Sequence, residues 1–219
     1  MMRIFFVWMQ LVLLVCFVGS FVGRSLYLYV AYKINVFRMS QGKTLFQRGL
    51  EWGFFLGLML WGMEIVMVSL RTLGFSVSLL PVAVHQMLLD SLIASIFGAI
   101  LMISGLAIFW WALYSFGISW RIGIDDQEPG VLVTSGAFAF SRNPIFVFID
   151  LYFLGIFLLN GTLFFGVFAL LVIGGIHYQI LQEEKFLMQH YGADYQSYCA
   201  RTFRYLPRMN WGIFLRGIR

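Results

Sequence analysis

Runs of about 20 residues almost without charge recur along this chain, and a run of that length, wound as a helix, matches the roughly 30 Å hydrocarbon core of a bilayer. They cover residues 4–23, with an extension to residue 32 past Arg24, residues 52–70 with only Glu64 inside, and residues 92–118 with no charge at all. A fourth stretch, residues 145–181, carries one charge, Asp150, and is about twice the length that one crossing needs. Asn160-Gly161 near its middle is a turn dipeptide, which predicts a tight helical hairpin. The expectation is an all-α integral membrane protein with five transmembrane helices, spans four and five forming the hairpin, and a cytoplasmic C-terminal helix. A composition 61% hydrophobic and 11% charged excludes an ordinary soluble domain, which runs at about 45–50% and 25%. The first run is longer than the roughly 7–15 apolar residues of a secretory signal, so it reads as a span and not as a cleaved leader.

Charge placement orients the helices, because cytoplasmic segments collect lysine and arginine. The first linker carries Lys33, Arg38, Lys43 and Arg48; the third carries Arg121 and Arg142; the end of the chain carries Lys185, Arg201, Arg204, Arg208, Arg216 and Arg219. The opposite side holds only Arg3, Arg71 and an uncharged hairpin tip. The N-terminus is therefore expected outside and the C-terminus in the cytoplasm, and the net charge of +5 reports topology, with no nucleic-acid partner implied. Residues 72–90, with Pro81, are expected at the outer interface. Cys16 and Cys199 are too few for a disulfide framework, and three histidines without an HxxxH pair make no metal centre, so no metal site is expected.

Two polar segments, residues 119–144 and everything after residue 182, share the cytoplasmic face. The second predicts a helix over residues 183–201 with a weak point at Gly192. Ionisable residues at membrane depth are functional candidates, or else pair with a basic residue such as Arg24 or Arg142; Glu64 and Asp150 are of this kind. His177 is a candidate proton acceptor, or a hydrogen-bond partner of a neighbouring helix. Pro144 suits the first turn of the fourth span, and the backbone amides around residues 143–146 point from a helix N-terminus towards an anionic group. Glu183-Glu184, near the exit of the fifth span, suit a cation or a sugar hydroxyl.

Two blocks carry more specific information. The first is Leu132-Val133-Thr134-Ser135-Gly136-Ala137-Phe138 running into Arg142-Asn143-Pro144-Ile145-Phe146, and the second is Glu183, Glu184, Leu187, Tyr191, Gly192, Tyr195, Tyr198, Arg204 and Pro207. In order and spacing, residues 117–207 resemble the integral-membrane methyltransferases that include isoprenylcysteine carboxyl methyltransferase and phospholipid N-methyltransferases. Leu132, Val133, Gly136, Arg142 and Pro144 match the first part of that pattern, and Phe138 stands for its tyrosine. In the second part Tyr191 stands for a phenylalanine. Asn143 replaces the motif histidine and keeps hydrogen-bonding capacity without an ionisable ring. Phe146 replaces a tyrosine, and Phe148 replaces a glycine, which predicts a narrowed pocket or reshaped entrance.

The resemblance implies S-adenosylmethionine as cofactor on the cytoplasmic side, in a pocket lined by Leu132, Val133, Phe138, Asn143, Pro144, Ile145, Phe146, Glu183 and Glu184. A sulfonium cation suits aromatic faces and its amino-acid carboxylate suits a helix N-terminus. Arg142 is the candidate for orienting the acceptor, with Gln179 one turn before Glu183 also touching it. The acceptor is an amphiphile, a lipid or a lipidated cysteine, entering sideways from the lipid bilayer. Isoprenylcysteine-type carboxyl methylation is the first reading of the reaction, N-methylation of an ethanolamine phospholipid the second, and a non-enzymatic membrane protein retaining the fold the third. The chain divides into spans one to three (residues 1–116), the methyltransferase motif region (117–207) and a basic tail (208–219), all one structural domain.

The charge asymmetry generates a topology test. A cysteine at Gly42 is expected to react with a membrane-impermeant reagent only from inside, and one at Gly161 only from outside. Labelling of the Gly42 probe in intact cells overturns the orientation.

Overall fold

The computed structural model describes residues 2–34, 45–117 and 131–205. Arg38, Gly42, Lys43, Arg121, Pro207, Arg208, Arg216 and Arg219 lie outside the described residues. Within them the chain is all-helical: α1 (Met2–Tyr32), α2 (Leu45–Thr72), a 3-10 turn (Val82–His85), α3 (Leu92–Phe116), the one-turn α4 (Ala137–Phe140), α5 (Pro144–Asn160), α6 (Leu163–Tyr191) and α7 (Ala193–Arg201). Four helices are long and apolar enough to cross a membrane: α1, the stretch Trp52–Thr72 of α2, α3 and α6. The shorter apolar α5 has 17 residues, about 25 Å of helix. A chain built this way is an integral membrane protein.

The helices match up end to end. At one end Arg3 pairs with Asp90 at 3.1 Å, just before α3. At the other, the Arg24 guanidinium donates to the Gly117 carbonyl at 2.5 Å, a cation on the carbonyl end of α3 where the helix dipole favours it. That contact explains how α1 continues past a charge to Tyr32. Between these ends the most extensive packing is α3 against α5, with α6 on the far side of α5. Gly98 and Gly155 face each other there: a Cβ on Gly98 would lie 2.5 Å from the Gly155 carbonyl oxygen, and one on Gly155 would lie 2.6 Å from Met102 Cγ. Small residues let the two backbones close up, which in lipid supplies the van der Waals contact that water would otherwise enforce. Around this seam Trp61 stacks on Phe153 (4.2 Å) and Phe109 packs on Phe148 (4.6 Å).

The expected hairpin is present. Gly161 takes the left-handed conformation (φ 65) that closes α5, and its carbonyl receives the amides of Leu88 and Leu89 at 2.7 and 3.0 Å. A side chain at Gly161 would run into the Leu89 carbonyl, so the outer labelling probe belongs at Val82, which is 84% exposed. A buried chain of amide and hydroxyl groups ties three helices at this end: Asn160 Nδ2 donates to Gln10 Oε1 (2.9 Å) and Gln10 Nε2 to Ser69 Oγ (2.8 Å).

Two expectations need correction. Glu64 is fully buried and pairs with Arg71, two turns along the same helix, with His85 Nδ1 3.4 Å from the same oxygen; neither Arg24 nor Arg142 is its partner. Arg24 and Arg142 are engaged elsewhere, with Gly117 and Glu184. The helix expected over residues 183–201 is two: α6 runs unbroken through Glu183 and Glu184 to Tyr191, and α7 starts after Gly192. Leu-Gln-Glu-Glu-Lys are good helix formers with nothing to stop them, whereas Gly192 breaks the helix.

Filling the α3–α5 seam is expected to destabilise the protein. Gly155→Val forces a branched side chain into backbone contact, at a cost of about 1–3 kcal/mol. Gly62→Val, with open space around its Cβ, serves as the neutral comparison. Thermal unfolding in detergent micelles measures both, and equal midpoints would remove the seam from the account of stability.

Candidate functional site

The motif residues gather where α3, the turn before α5, the end of α6 and α7 meet. Ser115 Oγ near the end of α3 accepts the Ala137 amide at 2.9 Å, which seats α4 against α3. Phe138 then packs edge-on to Phe116 (4.5 Å) and, with Tyr195 and Tyr198, forms a small core of its own, flanked by Leu132, Val133 and Tyr191. Tyr198 Oη donates to the Phe138 carbonyl at 2.7 Å. Burial pushes the phenols of Tyr195 and Tyr198 up, so both stay protonated hydrogen-bond donors at neutral pH. Thus Leu132, Val133 and Phe138 come together, with Phe138 enclosed against α7.

Beyond α7 the chain turns back on the loop that precedes α5. The Arg142 amide donates to the Phe203 carbonyl (2.8 Å), and Asn143 Nδ2 and Ser141 Oγ both donate to the Arg204 carbonyl (3.1 and 3.2 Å). The amide of Asn143 therefore anchors the returning strand, the task a hydrogen-bonding side chain performs without being ionisable. This return places Arg204 on Glu184. Both Arg204 Nε (3.0 Å) and its Nη2 (2.6 Å) reach one Glu184 oxygen, while Arg142 Nη2 lies 2.9 Å from the other. The hydrogen bonds and charge of Glu184 hold the Arg204 guanidinium above its ordinary range. Arg142 and Glu184 are only 12% and 13% exposed, so this pair is mostly withdrawn from water, while Arg204 at 36% reaches the surface.

The neighbouring Glu183 is separate. Its Oε1 accepts from Gln179 Nε2 at 3.0 Å, one turn earlier on α6. The two adjacent glutamates thus do different things, one crosslinking three segments and one presenting a carboxylate beside a carboxamide. Pro144 opens α5 as its first residue and is buried, and Ile145 and Phe146 are half-buried against the main core. No side chain caps this N-terminus. Among the described residues, the amides of Ile145 and Phe146 therefore have neither an intrahelical carbonyl nor a capping oxygen, leaving donors aimed off the end of a 17-residue helix. Phe148, expected to narrow the pocket, is 1% exposed and sits among Phe17, Phe109 and Tyr152 in the helix core. A surface cleft of about 430 Å³ lies between residues 131–134 and α7, lined by Val131, Leu132, Thr134, Tyr191, Asp194 and Arg201 among others. It takes in Leu132 but not Asn143, Phe146 or Glu183.

The structure also joins residues that no motif carries. His177 on α6, two turns before Glu184, is 2.5 Å through Nδ1 from Tyr205 Oη, and the two rings lie nearly parallel. Asp150, one turn beyond Phe146 on α5, lies within electrostatic reach of His177 and Tyr205. Tyr205 adjoins Arg204, and that adjacency was its only signal in the sequence.

Residues 93–194 match the family model described as phospholipid methyltransferase. The matched stretch runs from the start of α3 into α7 and agrees with the membrane methyltransferase family that the motifs resemble. Comparison with curated proteins and with solved structures gives no match.

Replacing Glu184 tests the triad. Glu184→Gln leaves Arg142 enclosed without its counter-charge, and a loss of about 3 kcal/mol or more is expected in chemical or thermal unfolding. Arg142→Gln added to that background should cost far less than it does alone, as coupling in a double-mutant cycle requires. Additive losses would mean that the two groups do not interact.

Proposed function

We propose, from the phospholipid methyltransferase match, that this protein is an S-adenosylmethionine-dependent methyltransferase of the membrane whose acceptor is a lipid carrying an amine headgroup. Five spans are part of the reading, with α5 the fourth, the N-terminus outside and the C-terminus in the cytoplasm. The pairing of Arg3 with Asp90 at one end and of Arg24 with Gly117 at the other, which sets α1 and α3 parallel, supports the alternation of the spans. Residues 117–207 hold the site within one structural domain, with spans one to three before it.

The observation that carries the reading is the uncapped N-terminus of α5, set beside Arg142 within the stretch that matches the family. Two unsatisfied amides at the positive end of a helix fit a carboxylate, such as that of the amino-acid part of the cofactor. Glu183, with its Gln179 partner, fits a positive or hydroxylated group of the same molecule. Leu132, Val133, Asn143, Pro144, Ile145 and Phe146 complete the proposed wall. When bound, S-adenosylmethionine supplies an electrophilic methyl group on a sulfonium. The chain's own part is to hold donor and acceptor in line and to exclude water, effects that together reach several kcal/mol.

An amine is preferred to a carboxylate as acceptor because of the charges near the α5–α6 face. Arg142 and Arg204 share the one charge of Glu184, and the carboxylates of Glu183 and Asp150 turn the excess of one positive charge into a net negative one. That field suits an ammonium headgroup. Carboxyl methylation of an isoprenylcysteine type is the second reading, favoured by one observation: Arg142 Nε is buried without a hydrogen-bond partner among the described residues and is suited to a ligand oxygen.

Glu183→Gln is expected to fold normally and to bind S-adenosylhomocysteine roughly ten- to a hundredfold more weakly, the cost of removing a charged hydrogen-bond partner, about 1.5–3 kcal/mol. Isothermal titration in detergent measures the affinity. Radiolabelled methyl transfer in membranes, followed by extraction, should put label into lipid; label in protein instead favours the second reading. Absence of S-adenosylhomocysteine binding by the wild type removes the proposal.

A further inference from the structure

An amine acceptor poses a chemical requirement that the residues so far do not meet. An alkylammonium has a pKa of about 10, so at neutral pH it is protonated and its nitrogen has no lone pair with which to attack. Something has to remove a proton before the new N–C bond can form. Glu184 is held by two arginines, and Glu183 by the amide of Gln179 in the proposed cofactor wall.

One rung deeper along the same two helices lies a set of groups suited to that task. His177 and Glu184 are seven residues apart on one face of α6, and Phe146 and Asp150 four apart on one face of α5, so the groups fall at two levels along these helices. The level nearer the membrane surface holds Arg142, Glu184 and Arg204; the deeper one holds Asp150, His177 and Tyr205. The strand that returns after α7 spans both, fixed by the hydrogen bonds of Arg142, Ser141 and Asn143 to residues 203 and 204. His177 has one ring nitrogen on Tyr205 Oη at 2.5 Å and keeps an exposed ring edge. Asp150 Oδ1 is buried with no hydrogen-bond partner among the described residues, a costly arrangement for a carboxylate unless a positive charge visits it. The other charged groups that Tyr205 feels, Arg204 and Glu184, are paired with each other.

We propose that His177 is the proton acceptor for the amine, with Tyr205 fixing its ring and Asp150 balancing the charge that it gains; this rests on the amine-lipid reading above. Nδ1–H donates to Tyr205 Oη, which leaves the Nε2 lone pair for the acceptor. Burial pushes the Tyr205 phenol up, so it stays neutral and able to accept that bond. The ammonium gives one N–H proton to Nε2 and becomes a neutral amine. The amine nitrogen then forms the new N–C bond as the C–S bond of the donor breaks and its sulfur keeps the electron pair. The product is a methylated ammonium, and the proton on His177 leaves to solvent before the next turnover. His177 is the catalytic residue here, and Tyr205 and Asp150 are positioning residues.

The test uses the full chain in phosphatidylcholine nanodiscs doped with phosphatidylethanolamine. His177→Gln keeps a hydrogen bond to Tyr205 but cannot take a proton; His177→Ala leaves room for added imidazole. Both should bind S-adenosylhomocysteine as the wild type does and keep KM for the lipid within a few-fold. Their kcat is expected to fall about a hundred- to ten-thousandfold. Imidazole should restore His177→Ala by at least about tenfold and leave His177→Gln unchanged. Tyr205→Phe should lower kcat about tenfold with KM and cofactor affinity unmoved. Full turnover in His177→Gln, or a loss in His177→Ala that imidazole does not relieve, overturns the assignment. A wild type that binds S-adenosylhomocysteine and methylates lipid while His177→Gln matches it refutes the proton acceptor alone; a wild type that does neither refutes both this and the amine-lipid reading.

Discussion

A carboxylate between two guanidiniums sits where three separate parts of the chain have to meet. Glu184 near the end of α6 takes Arg142 from the turn before α5 and Arg204 from the segment beyond α7, so one carboxylate draws those segments together. An enclosed ion pair is weak evidence for stability by itself, because desolvation offsets most of the attraction. Its value here is directional. The hydrogen bonds from Arg142, Ser141 and Asn143 to residues 203 and 204 form only when the strand lies in one place, and the triad selects that place. From that selection follow the position of the α5 N-terminus, the separation of Glu183 from Glu184, and the contact of Tyr205 with His177.

Beneath this charged layer the helices are held by a different kind of contact. Lipid tails are as apolar as leucine, so helix association in a bilayer cannot draw on the hydrophobic effect. The chain uses glycine at Gly98 and Gly155 to bring α3 and α5 to backbone distance, and uses Gln10, Ser69 and Asn160 to link three helices through hydrogen bonds out of reach of water. The buried Glu64, joined to Arg71 and His85, does comparable work where α2 ends. The seam sets the spacing, and the polar links set the register.

Much of the architecture was legible in the sequence because it depends on neighbours along the chain. Apolar runs marked the long helices, Asn160-Gly161 the hairpin, and Pro144 the first residue of α5, each by local backbone chemistry. Gly192 was seen as a weak point and is a full break. What escaped is whatever depends on which helix ends meet. Glu64 does pair with a basic residue, but with Arg71, seven residues on and two turns along the same face, and not with Arg24 or Arg142 across the bundle. Phe148, which its motif position predicts to narrow the pocket or reshape its entrance, takes its orientation from the packing of α3 against α5, which carries no motif. For the candidate site, the cluster of Leu132, Val133 and Phe138 was readable from the motif. The crosslinking by Glu184 and the link from Tyr205 to His177 were not, since both require the return of the chain after α7.

That return bears on how the molecule is made. Synthesis runs from α1 towards α7, so the membrane helices have emerged and can pack before residues 203–205 leave the ribosome. The helical bundle and the site are thus completed at different times. Until Arg204 arrives, Glu184 has one arginine and not two, and His177 lacks the hydroxyl of Tyr205. A nascent chain still inserting into the bilayer therefore has its scaffold before its candidate site, which is assembled when one short segment lies down against the bundle.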